Sequence, residues 1–144
     1  MKTVAELLQS KGNASVYTIS PDQTVLEAVA LMADKGIGAL LVTEGSDVVG
    51  IITERDYARK VILLERSSQA TPVSDIMTSA VMYVHPNQTS SECMKLMTEK
   101  RLRHLPVLEN GKLLGLLSIG DLVKGVISDQ QETIDQLEQY IRGE

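Results

Sequence analysis

The feature that most constrains this chain is that it is written twice. Displaced by 65 positions, residues 16–62 fall onto 81–127 without a gap. Pro21 meets Pro86, Gln23-Thr24 meets Gln88-Thr89, Glu27 meets Glu92, Leu31-Met32 meets Leu96-Met97, and Gly50 and Asp56 meet Gly115 and Asp121. About a third of the positions are identical over that span. The lead-ins also match, at a displacement of 69, with Val4-Ala5-Glu6-Leu7-Leu8 echoing Val73-Ser74-Asp75-Ile76-Met77. A unit of about 50 residues buries only part of its apolar surface. Two copies are therefore expected to cover each other around a pseudo-twofold axis.

Each copy reads strand, helix, strand, strand, helix. Residues 16–19 and 81–84 are extended segments closed by Pro21 and Pro86. Thr24 with Glu27, and Thr89 with Glu92, have capping-box spacing at a helix start. Val25, Ala28, Val29 and Met32 then recur at helical spacing up to Lys35-Gly36, as do Cys93, Met94, Leu96 and Met97 in the second copy. The apolar runs 39–42 and 48–52, joined by Gly45-Ser46-Asp47, predict a hairpin. So do 105–108 and 113–117 around Asn110-Gly111, a strong turn pair. Helices are expected over 54–64 and 119–127, and a further amphipathic helix over 128–142. The resulting organisation is α/β (α+β): a lead-in helix at 1–15, a first repeat at 16–66, a linker and second lead-in at 67–80, a second repeat at 81–128 and a C-terminal helix at 129–144.

Composition narrows the function classes. The 144 residues include no Phe or Trp, so the core is aliphatic. A net charge of −5 argues against a nucleic-acid partner. No apolar stretch approaches the length of a membrane span, and the N-terminus lacks a secretory h-region. The single cysteine, Cys93, permits no internal disulfide and fits a reducing compartment. The expected location is cytoplasmic. Cys93 falls on the apolar helix face and is expected in the core. Asn110-Gly111-Lys112 lacks Walker spacing, no G-x-G-x-x-G opens a helix, and His85 and His104 have no partner at metal-ligand spacing. No catalytic constellation is seen, and no metal is expected.

The recurring stretches GIITERD at 50–56 and GLLSIGD at 115–121, with RHLPV at 103–107 and DIMT at 75–78, resemble a CBS-domain pair, or Bateman module, of the small stand-alone bacterial type. The resemblance spans nearly the whole chain. It implies a non-enzymatic regulatory or energy-sensing module that binds AMP, ADP, ATP, NAD(H) or S-adenosylmethionine in clefts between the repeats and modulates a target protein. With few cations available, AMP and NAD are favoured over ATP. The alternative is a structural interaction module without nucleotide binding.

The resemblance assigns ribose to Asp56 and Asp121 and phosphate to Thr53 and Ser118. The residue chemistry agrees, since a carboxylate accepts hydroxyl protons and a strand end opening a helix offers free N–H groups. Both pairs can equally act as helix caps. Arg103 and His104 are the expected phosphate ligands, whereas Arg101 reads as a solvated helix-end charge. The Asp121 pocket is expected to use Thr18, Ile19, Ile37, Gly38 and Ala39, and the Asp56 pocket Tyr83, Val84, Leu102 and Arg103. Arg55, which matches Gly120, could pair with a phosphate, so the two sites should be unequal. Val61-Ile62-Leu63-Leu64 and Leu122, Val123, Val126 and Ile127 are apolar over more than one face. A homodimer through the helices at 57–64 and 122–127 is expected.

Overall fold

The computed structural model describes residues 1–11 and 16–143. The parts of the expected terminal segments at 12–15 and 144 lie outside the described residues. The elements run α1 (Val4–Ser10), β1 (Thr18–Ile19), α2 (Val25–Lys35), β2 (Ala39–Glu44), β3 (Asp47–Thr53), α3 (Glu54–Tyr57), α4 (Ser90–Lys100), β4 (His104–Glu109), β5 (Lys112–Ser118) and α5 (Ile119–Arg142). From α2 onward, each element start in the first copy recurs 65 positions later, so the written repeat is a structural one.

The chain divides into two units, and the division does not follow the two repeats. One unit comprises Met1–Ala14, Tyr83–Glu109 and Leu114–Glu144, and the other comprises Ser15–Met82 and Asn110–Leu113. Each lead-in is therefore built into the unit of the other repeat. Backbone bonds show how. Val4 and Ala5 N–H donate to the Gln88 and Pro86 carbonyls at 2.8 and 2.9 Å, and Ser90 N–H donates to Lys2 O at 2.9 Å. In the other unit Val73 and Ser74 N–H donate to Gln23 and Pro21 at 2.8 and 3.0 Å, and Val25 N–H donates to Thr71 O at 2.9 Å. The isolated bridges Thr3–Thr89 and Thr24–Pro72 are the same pair in two copies. These bonds satisfy backbone groups that a helix start leaves open.

Side chains repeat the arrangement. The glycine that opens GIITERD lies under the second lead-in: a Cβ on Gly50 would stand 2.6 Å from Met77 Sδ and 3.1 Å from the Thr78 carbonyl oxygen. Gly115 lies under the first lead-in, where a Cβ would meet Leu8 Cδ2 at 2.7 Å. Leu8 and Met77 are equivalent residues of the two lead-ins. One core gathers Val25, Ala28, Met32, Leu40, Val42 and Ile52 with Val73 and Ile76. The other gathers Cys93, Met97, Leu105, Val107, Leu117 and Leu122 with Val4 and Leu7. Burial pushes the Cys93 thiol up to about 11, with the Glu92 charge adding to the effect.

In one sheet β2 lies between β1, parallel to it, and β3, antiparallel to it. Thr78 extends this sheet by bonding both ways with Ile51. The other sheet is the β4–β5 hairpin, turned by Asn110 and Gly111 at φ 52° and 77°, as the primed turn requires.

Several expectations need correction. Residues 81–84 form no strand. Val81 N–H turns back to Ser79 O at 3.0 Å, and only Val84 makes a bridge, to Val107. The 73–77 lead-in is a single 3-10 turn, Val73–Asp75, preceded by Pro72, which has no side-chain cap to offer. Its counterpart α1 is capped by a full Thr3–Glu6 box. Thr24 and Thr89 do cap α2 and α4, but Glu27 and Glu92 accept from Gln23 and Gln88 instead of closing the box on the backbone. The helix expected over 54–64 keeps α geometry only to Tyr57 and widens to a π turn over Ala58–Ile62. The segments expected at 119–127 and 128–142 are one helix, since no proline or left-handed residue interrupts them.

Replacing Gly50 by valine is expected to lower the unfolding free energy by about 1–3 kcal/mol, the cost of overpacking a filled contact. Urea denaturation measures this, and unchanged stability would show that Met77 is not seated on that glycine.

Candidate functional site

The recurring hydroxyl and carboxylate meet at a strand-to-helix junction. Ala39 at the start of β2 pairs with Thr53 at the end of β3, and Glu54 N–H donates to Gly38 O at 3.1 Å. In the other unit Ile119 N–H donates to Arg103 O at 2.9 Å. One sheet end thus gathers Gly38, Ala39, Thr53 and Asp56. The other gathers Arg103, His104, Ser118 and Asp121.

Each hydroxyl–carboxylate pair forms a reciprocal capping box. Asp56 N–H donates to Thr53 Oγ1 at 3.2 Å, and Thr53 N–H returns to Asp56 Oδ2 at 3.0 Å. Asp121 N–H donates to Ser118 Oγ at 3.2 Å, and Ser118 N–H returns to Asp121 Oδ2 at 2.8 Å. Threonine and serine are needed because the cap must accept from the third helical N–H. Aspartate three residues on is needed because its short carboxylate reaches back to the cap. The capping role is therefore realised at both junctions.

Each carboxylate also holds a lysine that the sequence reading missed. Lys60 Nζ lies 3.1 Å from Asp56 Oδ1 and donates to Ile76 O at 2.9 Å. Lys11 Nζ lies 2.9 Å from Asp121 Oδ2 and donates to Leu116 O at 2.7 Å. The two side-chain carboxylates are 13% and 14% exposed, so these pairs are only partly screened. Lys60 was within reach of sequence reasoning, because it follows Asp56 by four helical positions. Its counterpart in the second copy is Gly125. A Cβ there would meet Leu7 Cδ2 at 2.5 Å, so the glycine leaves room for α1, and α1 brings Lys11. No local spacing announces that substitution. Beside Asp121, a hollow of about 270 Å³ is lined by residues including Lys2, Lys11, Asp121 and Lys124.

Burial raises the Asp121 carboxyl, but the Ser118 N–H and the Lys11 ammonium outweigh it and hold the carboxyl below the ordinary carboxylate range. A depressed folded value contributes stability above the unfolded value of about 3.9. That contribution is lost as pH falls through the folded value.

The remaining candidates divide by exposure. Arg55 and Arg103 are exposed, and neither side chain has an ion-pair partner among the described residues. Thr18 and Tyr83 are exposed, with Tyr83 edge-on to His85 at 5.6 Å. Ile37, Gly38, Leu102 and His104 are half-buried. Ile19, Ala39 and Val84 are buried, which leaves their backbone rather than their side chains for any ligand. Arg101 is an exposed helix end at φ 55°, where the first copy has Gly36 at φ 65°. Thr18, Ile19, Ile37, Gly38, Ala39 and Arg55 belong to the Asp56 unit, whereas Tyr83, Val84, Leu102, Arg103 and His104 belong to the Asp121 unit. Among the described residues no group of three His, Cys, Asp or Glu side chains could hold a metal, and no helix is long and apolar enough to cross a membrane.

The model of the CBS domain family matches residues 4–63 and 73–128. A protein with CBS domains from Burkholderia ambifaria is 60% identical, with a TM-score of 0.86 over 90% of this chain and 96% of that one. The mitochondrial CBS domain-containing protein CBSX3 of Arabidopsis thaliana is 39% identical over 98% of this chain and 72% of its own length. The CBS domain protein PAE2072 of Pyrobaculum aerophilum, solved with AMP, is 23% identical over 83% of this chain and 89% of that one, with a TM-score of 0.74. At that identity it shows the fold alone.

In Lys11→Met, the Asp121 carboxyl is expected to titrate at higher pH and the acid-side loss of stability to shrink. Carboxyl-carbon NMR across pH 2–6 (roughly the carboxylate range) measures this. An unmoved titration would show that Lys11 is not its counter-ion.

Proposed function

Because this chain belongs to the CBS domain family as a tandem pair of repeats, we propose that it is a non-catalytic regulatory module that binds an adenine nucleotide, AMP or NAD(H) ahead of ATP, and modulates a partner protein. The observation that carries the reading is the doubled junction. Two shielded carboxylates stand at helix starts, and the sheet end at Asp121 also carries Arg103, whose guanidinium has no ion-pair partner among the described residues. A carboxylate that already accepts N–H bonds stays ionised, and an ionised acceptor suits a pair of ribose hydroxyls. On Asp121 the Ser118 bond and the Lys11 pair both end on Oδ2. That leaves Oδ1 for a hydroxyl. Arg103 and His104, with the Thr53 and Ser118 hydroxyls, would face phosphate. PAE2072, which has the same fold, binds AMP.

We also place the protein in the cytoplasm as a homodimer joined through the helices at 57–64 and 122–127. Ile62, Leu63 and Leu64 are 54, 73 and 64% exposed beside the fully buried Val61, and an apolar run of that exposure calls for cover. A ligand that binds one arrangement of the module better than another would shift their populations and so alter contact with the target.

The alternative, an interaction module without ligand, draws on the capping boxes, which by themselves account for both Ser/Thr–Asp pairs. Thermal unfolding with AMP, ADP, ATP, NAD, NADH and S-adenosylmethionine separates the two. A ligand at about 100 times its dissociation constant adds ~2.7 kcal/mol. Asp121→Asn and Asp56→Asn are each expected to reduce that gain. No shift with any of the six compounds would favour the structural module.

A further inference from the structure

The last part of α5 is the least explained surface of the molecule. Residues 130–142 are all exposed, and a helix of about 12–15 residues with nothing against it is marginal in water. Its apolar side chains nevertheless form one seam. Ile119, Val123, Ile127, Ile134, Leu137 and Ile141 are 47, 44, 59, 47, 56 and 81% exposed. The opposite side of the helix, at Leu122 and Gly125, is the buried one.

The seam has heptad form. Ile127, Ile134 and Ile141 recur every seventh residue, and Val123, Gln130 and Leu137 do so on the adjoining position. Isoleucine on the first position with leucine on the second favours two parallel strands. The first position is isoleucine three times, and the second carries leucine at Leu137 with Val123 and Gln130 in the two heptads before it. We infer that α5 pairs with α5 of a second copy of this chain as a parallel two-stranded coiled coil along the seam Val123 to Ile141. This rests on the homodimer proposed above, extends it along the C-terminal helix and fixes its direction.

Two observations select this occupant. The seam is flanked on one side by Lys124, Gln131 and Glu138, and on the other by Val126, Thr133 and Tyr140. A parallel pair sets one flank against the other, so each charged residue faces an uncharged one and like charges never meet. The second observation is Gln130, the one polar residue of the seam, whose amide has no hydrogen-bond partner among the described residues. In a parallel pair Gln130 lies opposite Gln130 of the second copy, and the two amides can bond to each other. In an antiparallel pair the two seam positions alternate across the interface. Gln130 would then lie against isoleucine, an unpaired amide in an apolar layer. A basic target helix would find only Glu138 on the flanks.

The test uses the full chain with Leu137→Cys, oxidised by excess oxidised glutathione, which accepts the two electrons released as two thiols become a disulfide. Cys93 is buried and does not compete. Leu137→Cys is expected to give a covalent dimer at least tenfold faster than Gln136→Cys, which lies off the seam. Ile134→Asp, at an exposed position, is expected to weaken the dimer at least tenfold by light scattering while leaving the backbone NMR shifts of residues 16–109, outside α5 and the 57–64 helix, unchanged. A dimer that neither cross-links through Leu137→Cys nor responds to Ile134→Asp would overturn the coiled coil and leave the dimer through 57–64 and 122–127 standing. A monomer would overturn both.

Discussion

The structure depends on an apolar side chain seated over a strand glycine, made twice. Leu8 covers Gly115 and Met77 covers Gly50, each brought by the lead-in of the other repeat. Each contact helps complete an aliphatic core that its own repeat leaves short of two residues, Val4 and Leu7 in one case and Val73 and Ile76 in the other. With no Phe or Trp in the chain, close seating does the work that a large side chain does elsewhere. Burying a residue of this size is worth about 1.5–3 kcal/mol. The backbone bonds from each lead-in to the segment before α2 or α4 fix its register in the same step.

The candidate sites inherit this arrangement and its asymmetry. The glycine that opens GIITERD meets the lead-in directly, and the aspartate that closes it is tied to the lead-in through a lysine. The Asp56 carboxylate takes its counter-ion from its own helix, at Lys60, and that lysine also bonds the lead-in carbonyl of Ile76. The Asp121 carboxylate takes Lys11, the residue that ends α1, because Gly125 stands where Lys60 would be and makes room for Leu7. The two junctions look alike in sequence and in capping geometry, but they differ in which carboxylate oxygen carries the lysine.

Much of this was legible in the residues. The 65-position displacement reproduces the paired elements, and Asn110-Gly111 takes up the turn its identity demands. Thr53–Asp56 and Ser118–Asp121 stand at the helix starts where their spacing places them. The illegible parts are those set over long separations. Nothing local tells that Val4 and Leu7 serve the second repeat, or that Lys11 crosses more than a hundred residues to Asp121. The strand expected at 81–84 was misread because its apolar pattern is real but its backbone turns back at Val81. The break expected near residue 128 was misread because polar composition alone does not end a helix.

The ribose role of the two carboxylates is tested most directly by calorimetric titration of the full chain with AMP and with 2′,3′-dideoxy-AMP, which differs only in lacking both ribose hydroxyls. AMP is expected to bind at least tenfold more tightly, and Asp121→Asn is expected to narrow that difference, since each hydroxyl bond to a charged acceptor is worth about 1.5–3 kcal/mol. Equal affinities for the two nucleotides would contradict it and leave the carboxylates as helix caps alone.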